Sequence, residues 1–309
     1  MGAGSVVACR RASIPAGLAH AILGPMENQK WLKTAIAAAK KAGEIQLKHL
    51  GKLSGFRLKG VANLVTEADV RCEEAVIGLI RRRFPGHAFL AEERGQEQAA
   101  PSDFLWVIDP LDGTTNYAHS YPLFCVSIGL VVKGRIEVGV VYDAVHRELF
   151  HALRGRGAFL NGRRIRVSRV ARLVDSMLCT GFSYDRGERL SKSLDAFVRL
   201  LPYPQAIRRD GCAALDICYV ACGRYDGFWE HRLNPWDVAA GALILEEAGG
   251  RVSDLQGRPI TIYEKVFFGS NRRIHEELVS VLAADGRPQS MRRNARTVRA
   301  KWIPRKRRK

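Results

Sequence analysis

The most informative stretch of the sequence is W-V-I-D-P-L-D-G-T-T-N, which runs from Trp106 to Asn116. Its apolar beginning is typical of a buried strand, and that strand places Asp109 at its end. Pro110 stiffens the turn that follows, and Asp112 lies close enough for both carboxylates to reach one metal cluster. The segment Gly113–Thr115 predicts the start of a helix, where free backbone N–H groups suit a phosphate. Two hard carboxylates beside a phosphate cradle are what magnesium-assisted phosphoryl transfer needs.

A simpler interpretation of this stretch is an acidic turn in which Asp112 only caps a helix. Asp-x-x-Asp is a common pattern, and taken alone it favours that interpretation. Two further motifs change the balance. Ala91-Glu92-Glu93 places acids directly after another apolar run, and Trp236-Asp237 begins a predicted helix, where Asp237 alone would be an ordinary first-turn acid. Four acids that each lie at the edge of an element favour a metal site.

Hydrophobic periodicity predicts the elements around these motifs. The predicted helices are 29–50, 67–83, 188–200, 213–222, 236–248 and 274–284. The predicted strands are 87–91, 105–108, 124–132, 135–141, 149–153, 158–160, 177–181, 226–229, 250–254 and 265–269. Strands dominate before residue 170, and helices alternate with strands after it, so we expect two α/β-type subdomains joined near that residue.

Charge and cysteine content limit the class of protein. The chain has 309 residues and a formal net charge of +18, but residues 287–309 hold eleven Lys or Arg and no acid. Residues 1–26 add +2 through Arg10 and Arg11, which leaves +5 for residues 27–286. The longest nearly apolar stretch, 124–132, is too short to span a bilayer, which argues against a membrane protein. The seven cysteines form no CxxC pair, and we predict buried free thiols in a reducing cytoplasm.

The two ends of the sequence differ from its middle. We predict a disordered leader at 1–27, an N-terminal α+β metal-binding subdomain at 28–170, a C-terminal α/β subdomain at 171–286 and a basic disordered tail at 287–309. Either Met1 or Met26 is the true start. The tail is either a solvated, self-repelling terminus or a segment that grips RNA or another polyanion through phosphate contacts.

The sequence resembles the inositol monophosphatase family across about residues 28–285. The motifs that carry the resemblance are Leu64–Asp69, Glu92-Glu93, Asp109–Asn116, Trp236–Gly241 and Glu246–Gly250. Five motifs in one order are far more specific than any single short motif. The resemblance implies an α+β fold, a layered α-β-α-β-α sandwich of the inositol monophosphatase and fructose-1,6-bisphosphatase type. It also implies a lithium-sensitive phosphatase that is usually a homodimer.

The same resemblance implies a magnesium cofactor, with two or three ions per site. The implied ligands all offer oxygen donors, and they are Glu92, Asp109, the main-chain carbonyl of Leu111, Asp112 and Asp237. A metal-activated water would attack the phosphorus atom. Glu92 and Thr114 would orient and deprotonate that water, and Asp69 would hydrogen-bond to Thr114.

The resemblance assigns the substrate-binding residues as well. They are Asp112, the backbone N–H groups of Gly113 and Thr114, the small-residue loop Gly211, Cys212 and Ala213, and Glu230. Cys212 stands where Ser or Thr is common, so we expect weaker polyol recognition there. Glu230 is either the acid that binds substrate hydroxyls or a surface acid beside His231 and Arg232.

Three functional hypotheses follow from the sequence. The first is Mg-dependent hydrolysis of a small phosphomonoester, with myo-inositol 1-phosphate favoured because Glu230 suits a polyol. The second is a related phosphatase that acts on fructose 1,6-bisphosphate, histidinol phosphate or a 3′-phosphonucleotide. The third belongs to another class, an RNA- or ribosome-associated regulatory protein that acts through residues 287–309.

Overall fold

The structure is a computed structural model that describes residues 25–52, 57–59, 63–97, 102–182 and 188–283. The tail at 287–309 and residues 1–24 of the predicted leader lie outside these ranges. The helices are α1 (Pro25–His49), α2 (Glu67–Arg83), α3 (Thr114–Ala118), α4 (Glu188–Leu200), α5 (Ala213–Ala221), α6 (Pro235–Glu247) and α7 (His275–Ala283). The first strands are β1 (Arg57–Lys59), β2 (Asn63–Val65), β3 (Ala88–Ala91), β4 (Gly95–Glu97), β5 (Phe104–Asp112), β6 (Cys125–Val132), β7 (Arg135–Asp143) and β8 (Glu148–Leu153). The remaining strands are β9 (Ala158–Leu160), β10 (Arg163–Arg164), β11 (Met177–Thr180), β12 (Ala206–Arg208), β13 (Gly227–His231), β14 (Arg251–Ser253) and β15 (Val266–Ser270).

Two boundaries differ from those predicted by more than two residues, and the other predicted elements agree to within two residues. Helix α1 begins at Pro25, inside the predicted leader, because proline suits the first helical position and Glu27 suits the first turn. Strand β5 continues to Asp112 instead of ending at residue 108, because it contains a bulge between Asp109 and Asp112. Five strands of only two or three residues (β1, β2, β4, β10 and β12) were not predicted, since such short runs show no periodicity.

Eight strands form the first sheet, in the order β10-β9-β8-β7-β6-β5-β3-β4. Strands β3 and β5 are parallel neighbours, whereas the other pairs in this sheet are antiparallel. Side chains alternate between the two faces of β5. Trp106 and Ile108 pack under α1 and α2, while Val107 packs with Ala239 of α6 on the opposite face. The first sheet is therefore covered by helices on both sides.

The second sheet has five strands in the order β12-β11-β13-β15-β14. Strand β11 runs parallel to β12 and β13, and β15 runs antiparallel to β13 and β14. One face packs against α5 and α6 through Phe228 and Phe267, and the other packs against α4 and α7 through Trp229 and Phe268.

The layers are thus α1 and α2, the first sheet, α5 and α6, the second sheet, and α4 and α7. This order confirms the predicted layered α-β-α-β-α sandwich of α+β class. Gly139 of β7 allows α6 to approach closely, since a Cβ there would lie 2.6 Å from the carbonyl oxygen of Ala240. Because α5 and α6 pack between both sheets, the two halves of the chain share one interior, and the division near residue 170 stays a prediction.

Two sequence-based expectations concern the interior and the membrane. Within the described ranges, Cys72, Cys125, Cys179, Cys212 and Cys218 are buried free thiols, as predicted, and Cys222 is half-buried. Among the described helices, none combines the length and the apolar character that crossing a bilayer requires.

Candidate functional site

The register of two parallel strands brings Glu92 and Asp109 together. Ala91 pairs with Ile108 in this register, so the residues that follow them leave the same edge of the sheet. The backbone N–H of Glu92 donates to the carbonyl of Ile108 at 3.2 Å, which fixes the start of the turn after β3. Asp109 is only 1% exposed. The sequence predicted both acids at strand ends, and the structure places them side by side.

A bulge in β5 lies between Asp109 and Asp112, and the residues at its end, Leu111 and Asp112, line the same pocket as Asp109. Asp109 pairs with Ser127 and Asp112 pairs with Cys125, so one extra residue is accommodated on β5. The Leu111 N–H donates to Asp109 Oδ1 at 2.9 Å, and Gln46 Nε2 of α1 donates to the carbonyl of Pro110 at 3.0 Å. The loop that carries Asp109 and Asp112 is therefore held from both sides.

Asp112 caps a helix, but a distant one. Its Oδ2 accepts the backbone N–H of Ala214 at 2.6 Å, at the start of α5. The helix that follows it, α3, is preceded by Gly113, whose φ of 90° is left-handed, and no side chain caps that helix end. The simpler interpretation of a local cap is therefore wrong. Asp112 instead links the first sheet to the loop at 211–213.

Cys212 lies behind Asp112 and does not line the pocket. Its side chain is fully buried, and its Sγ donates to Asp112 Oδ2 at 3.3 Å and lies 3.6 Å from Cys125 Sγ. Its neighbours Gly211 and Ala213 do line the pocket. The structure thus separates Cys212 from the other two residues of the predicted substrate loop, because the strand-like backbone at Cys212 turns its side chain inward.

Asp237 adds a fourth acid to the pocket, from a part of the chain distant in sequence from β3 and β5. It is in the first turn of α6, where Pro235 is well suited to the helix start, and its Oδ2 accepts the N–H of Asn234 at 2.7 Å. Asp237 is therefore a first-turn acid, as the simpler interpretation has it, and it also lines the pocket with Glu92, Asp109 and Asp112.

The electrostatics of these acids test whether a metal fits. Burial raises the pKa of Asp109 well above its usual range, and the nearby charges of Glu92, Asp112 and Asp237 raise it further. Burial also raises the pKa values of Asp112 and Asp237, and for Asp237 the charge of Asp112 adds to the effect. Four mutually repelling carboxylates in one pocket fit a divalent cation, which removes the repulsion and prefers oxygen donors.

Thr114 and Asp69 form a hydrogen-bonded pair beside the acids. Thr114 Oγ1 lies 3.1 Å from Asp69 Oδ1 and 3.0 Å from the carbonyl oxygen of Leu111. Asp69 Oδ2 accepts from the backbone N–H of Thr66 at 2.7 Å and from its hydroxyl at 2.5 Å, which completes the capping box of α2. Burial raises the pKa of Asp69 to about 6. The structure thus brings together the predicted pair of Asp69 and Thr114.

The pocket also contains Glu230, together with two residues that the sequence did not single out. Glu230 is half-buried and lines the pocket, so it is not a free surface acid. Burial raises its pKa to about 8, with a smaller contribution from the charge of Asp112. Arg209 opposes that shift. Gly181 makes room for the carboxylate, since a Cβ at that position would lie 1.9 Å from Glu230 Oε2. Arg209 lies two residues before Gly211 of the predicted substrate loop, and this closeness in sequence was the only feature that could have indicated its role.

One pocket of about 330 Å³ collects nearly all the predicted residues. The predicted residues that line it are Glu92, Asp109, Leu111, Asp112, Gly113, Thr114, Gly211, Ala213, Glu230 and Asp237. Asp69 contacts it through Thr114. Arg209, His231 and Arg232 line the same pocket as these acids. Such a pocket suits a ligand with one anionic group and several hydroxyl groups.

Comparison with known proteins gives consistent matches. The model of the inositol monophosphatase family matches residues 27–286. An inositol-1-monophosphatase of Synechocystis is 47% identical over 264 residues, which cover 85% of this chain and 92% of that protein. The Nus factor SuhB of Pseudomonas aeruginosa is 46% identical and covers 74% of this chain and 87% of its own length. The crystal structure of the suppressor protein SuhB from Bartonella henselae has a TM-score of 0.80 at 38% identity, covering 83% of this chain and all of that one.

Proposed function

The chain belongs to the inositol monophosphatase family, and we propose that it hydrolyses myo-inositol 1-phosphate to inositol and phosphate in a magnesium-dependent reaction. The observation that carries the proposal is the convergence of acids from three separate parts of the chain on one pocket. Glu92 follows β3, Asp109 and Asp112 lie on β5, and Asp237 begins α6. Family membership makes the protein a phosphatase, and the proposal concerns its metal ion, its substrate and the roles of its residues.

Magnesium fits the donor set because all the side-chain donors are carboxylates. We assign Glu92, Asp109, Asp112 and Asp237 as its side-chain ligands, and the carbonyl of Leu111 as a main-chain ligand. Magnesium would lower the pKa of water and neutralise the charge that develops on the leaving oxygen. The protein supplies a fixed geometry, because the bulge in β5 and the capping contact to Ala214 hold both aspartates in place.

Thr114 and Asp69 would handle the proton of the attacking water. With its single proton directed to Asp69 Oδ1 and not to the Leu111 carbonyl, the Thr114 hydroxyl would keep an oxygen lone pair to accept a hydrogen bond from water. Asp69 keeps this orientation because its other oxygen is held by Thr66. Glu92 would share the task of orienting and deprotonating the water. We expect general-base assistance of this kind to contribute about 100-fold or more to the rate.

The substrate would be held at its two ends. The backbone N–H groups of Gly113 and Thr114 would bind the phosphate near Asp112, and Glu230 would bind hydroxyl groups of the leaving polyol. Gly211 and Ala213 would form a wall beside the ring, while the buried Cys212 would act only by supporting Asp112. Because Glu230 lines the same pocket as the acids, the phosphate and the ring of one small molecule could be bound there together.

A substrate panel tests this proposal. We would measure phosphate release from myo-inositol 1-phosphate, fructose 1,6-bisphosphate, histidinol phosphate and a 3′-phosphonucleotide, with magnesium and with a chelator. We expect the highest kcat/KM for the inositol ester, and no turnover in the chelator. A preference for another ester would leave the proposed metal chemistry intact, and it would contradict the role of Glu230 in binding the hydroxyl groups of inositol. Turnover that persists in chelator would overturn the magnesium mechanism.

Three finer expectations stay predictions. They are inhibition by lithium, a homodimeric state and a cytoplasmic location. Adding lithium to the same assay and measuring the mass of the protein in solution by light scattering address the first two.

A second candidate function is binding of RNA or another polyanion. Two observations favour it: a relative at 46% identity is named a Nus factor, and residues 287–309 hold eleven cations and no acid. Cations at this density bind phosphate backbones with a strong dependence on salt. A protein truncated after residue 286 would then lose RNA binding and keep phosphatase activity, whereas equal RNA binding by both forms would exclude this role of the tail.

A further inference from the structure

A second polar cluster lies at the start of α5, apart from the acids assigned to magnesium. It contains Cys179 of β11, Asp210 of the loop before α5, and Asp216 of α5. One potential ligand atom from each residue lies within 4.8 Å of the others. Cys179 is fully buried and Asp216 is 1% exposed, whereas Asp210 is half-buried, so two of the three side chains lie inside the protein. None of the three residues belongs to the set of acids assigned to magnesium.

One oxygen atom of this cluster lacks a hydrogen-bond partner. Asp216 Oδ1 is buried and has no hydrogen-bond partner among the residues that the structure describes. A buried carboxyl oxygen without a partner is costly, since it has lost its bonds to water. Burial raises the pKa of Asp216 well above its usual range, and the charge of Asp210 raises it further, while a hydrogen bond with the Cys179 thiol opposes the shift. The carboxyl group therefore needs a proton or a cation.

The ligand types in the cluster select the cation. A thiolate is a soft ligand that magnesium and calcium avoid, whereas zinc combines thiolate with carboxylate ligands. Asp210 is also oriented as a metal ligand usually is, because its Oδ2 accepts a hydrogen bond from the Tyr225 hydroxyl. Tetrahedral zinc separates its ligand atoms by about 3.5 Å, so the three side chains need only a modest contraction.

We propose that Cys179, Asp210 and Asp216 form a zinc site, with water as the fourth ligand. Binding replaces the thiol proton of Cys179, and the proton of Asp216 where it is present, and releases both to the solvent. The site would join β11, the loop before α5 and α5 itself. Since Asn116 Nδ2 donates to the Asp210 carbonyl at 2.9 Å, the ion would stiffen the wall of the pocket next to α3.

Cobalt substitution tests the proposal without measuring activity. Cobalt(II) bound to a thiolate gives a charge-transfer absorption in the near ultraviolet that oxygen ligands do not give. We would titrate the metal-free full-length protein with cobalt and then displace it with zinc. We expect one thiolate-bound cobalt per chain in the wild type, and loss of the band in Cys179→Ser and Asp216→Asn. A wild-type protein without the band would overturn the proposal.

Matched variants separate this site from the other thiols. Cys212 and Cys125 lie near Asp112 and form the competing thiol cluster, so Cys212→Ser must keep the band. Cys218→Ser removes a buried thiol from the same helix, α5, and controls for the general cost of a buried Cys-to-Ser change. A band that survives in Cys179→Ser and disappears in Cys212→Ser would overturn the assignment.

Asp216→Asn distinguishes a bound cation from a bound proton. If the carboxyl is only protonated, the neutral amide is a close substitute, and zinc affinity measured by isothermal titration calorimetry stays unchanged. If Asp216 is a ligand, we expect the affinity to fall at least roughly tenfold. Running the titration in two buffers of different ionisation enthalpy counts the protons released, and zero protons in the wild type would contradict ligation by Cys179.

Discussion

The pocket has two sides that are built in different ways. On the acidic side, Glu92, Asp109 and Asp112 are fixed by the register of neighbouring strands and by a bulge. On the substrate side, Gly181 and Glu230 follow the paired residues of two parallel strands, β11 and β13, and they fit only because glycine has no side chain. The acidic side depends on charge, and the substrate side depends on space. We therefore expect changes on the acidic side to abolish turnover of every ester, and changes on the substrate side to alter mainly KM.

The largest expected effect is that of Asp109→Asn. Asp109 is central to the acidic side, and losing it should remove several kcal/mol of metal-assisted stabilisation, a fall in kcat on the order of 1,000-fold or more. Steady-state phosphate release at saturating magnesium measures it. If the variant kept wild-type kcat, the acidic side would not be where the reaction occurs.

The same variant should have the opposite effect on stability. Because the folded-state pKa of Asp109 is raised, the metal-free native protein binds more protons than the unfolded chain. The contribution of Asp109 to the free energy of unfolding is therefore full below about pH 4, and it is lost as the pH rises through the folded-state pKa. Asp109→Asn should flatten this decline, and thermal unfolding in chelator from pH 5 to 9 would show it. A variant that is less stable than wild type at pH 8 would contradict this account.

Thr114→Ala comes next in size. It removes the hydroxyl that connects the pocket to Asp69, so we expect kcat to fall by roughly 100-fold or more with little change in KM. Thr114→Ser keeps the hydroxyl and is the matched control, since it should recover most of the lost rate. If serine and alanine reduced the rate equally, the methyl group and not the hydroxyl would be the important part of Thr114.

The acidic side is also the part that the sequence predicted better. Glu92, Asp109 and Asp112 follow apolar runs closely, and this local pattern was enough to single them out although β5 extends past its predicted end at residue 108. The substrate side depends on contacts across the chain: Asp112 reaches Ala214, and Gly181 makes room for Glu230. No local pattern reveals that Cys212 faces inward, because its direction depends on how α5 packs against the first sheet. The layered fold was predictable from long helices and strands, whereas five of the seven strands of two or three residues were not predicted.

Replacing Glu230 tests the substrate side. Glu230→Ala should raise KM for the inositol ester roughly tenfold, because hydrogen bonds to the substrate are lost, and leave kcat nearly unchanged. Burial raises the pKa of Glu230 to about 8, so near pH 7 the metal-free protein holds it largely protonated, and Glu230→Gln should be the milder change. A fall in kcat without a change in KM would mean that Glu230 acts in the chemical step and not in substrate binding.

The smallest effect, and the sharpest test of the comparison, is that of Gly181→Ala. The added Cβ would meet Glu230 Oε2 at 1.9 Å, so the carboxylate has to move, and we expect KM to rise by up to roughly the amount seen for Glu230→Ala. If Gly181 acts only by leaving space for Glu230, adding Gly181→Ala to Glu230→Ala should change KM little further, because the group that is displaced is already gone. Independent, additive effects would mean that the glycine shapes the pocket by another route. A large loss of kcat in the single variant would mean that the two sides are coupled, and substrate fit could then not be varied without disturbing the metal ligands.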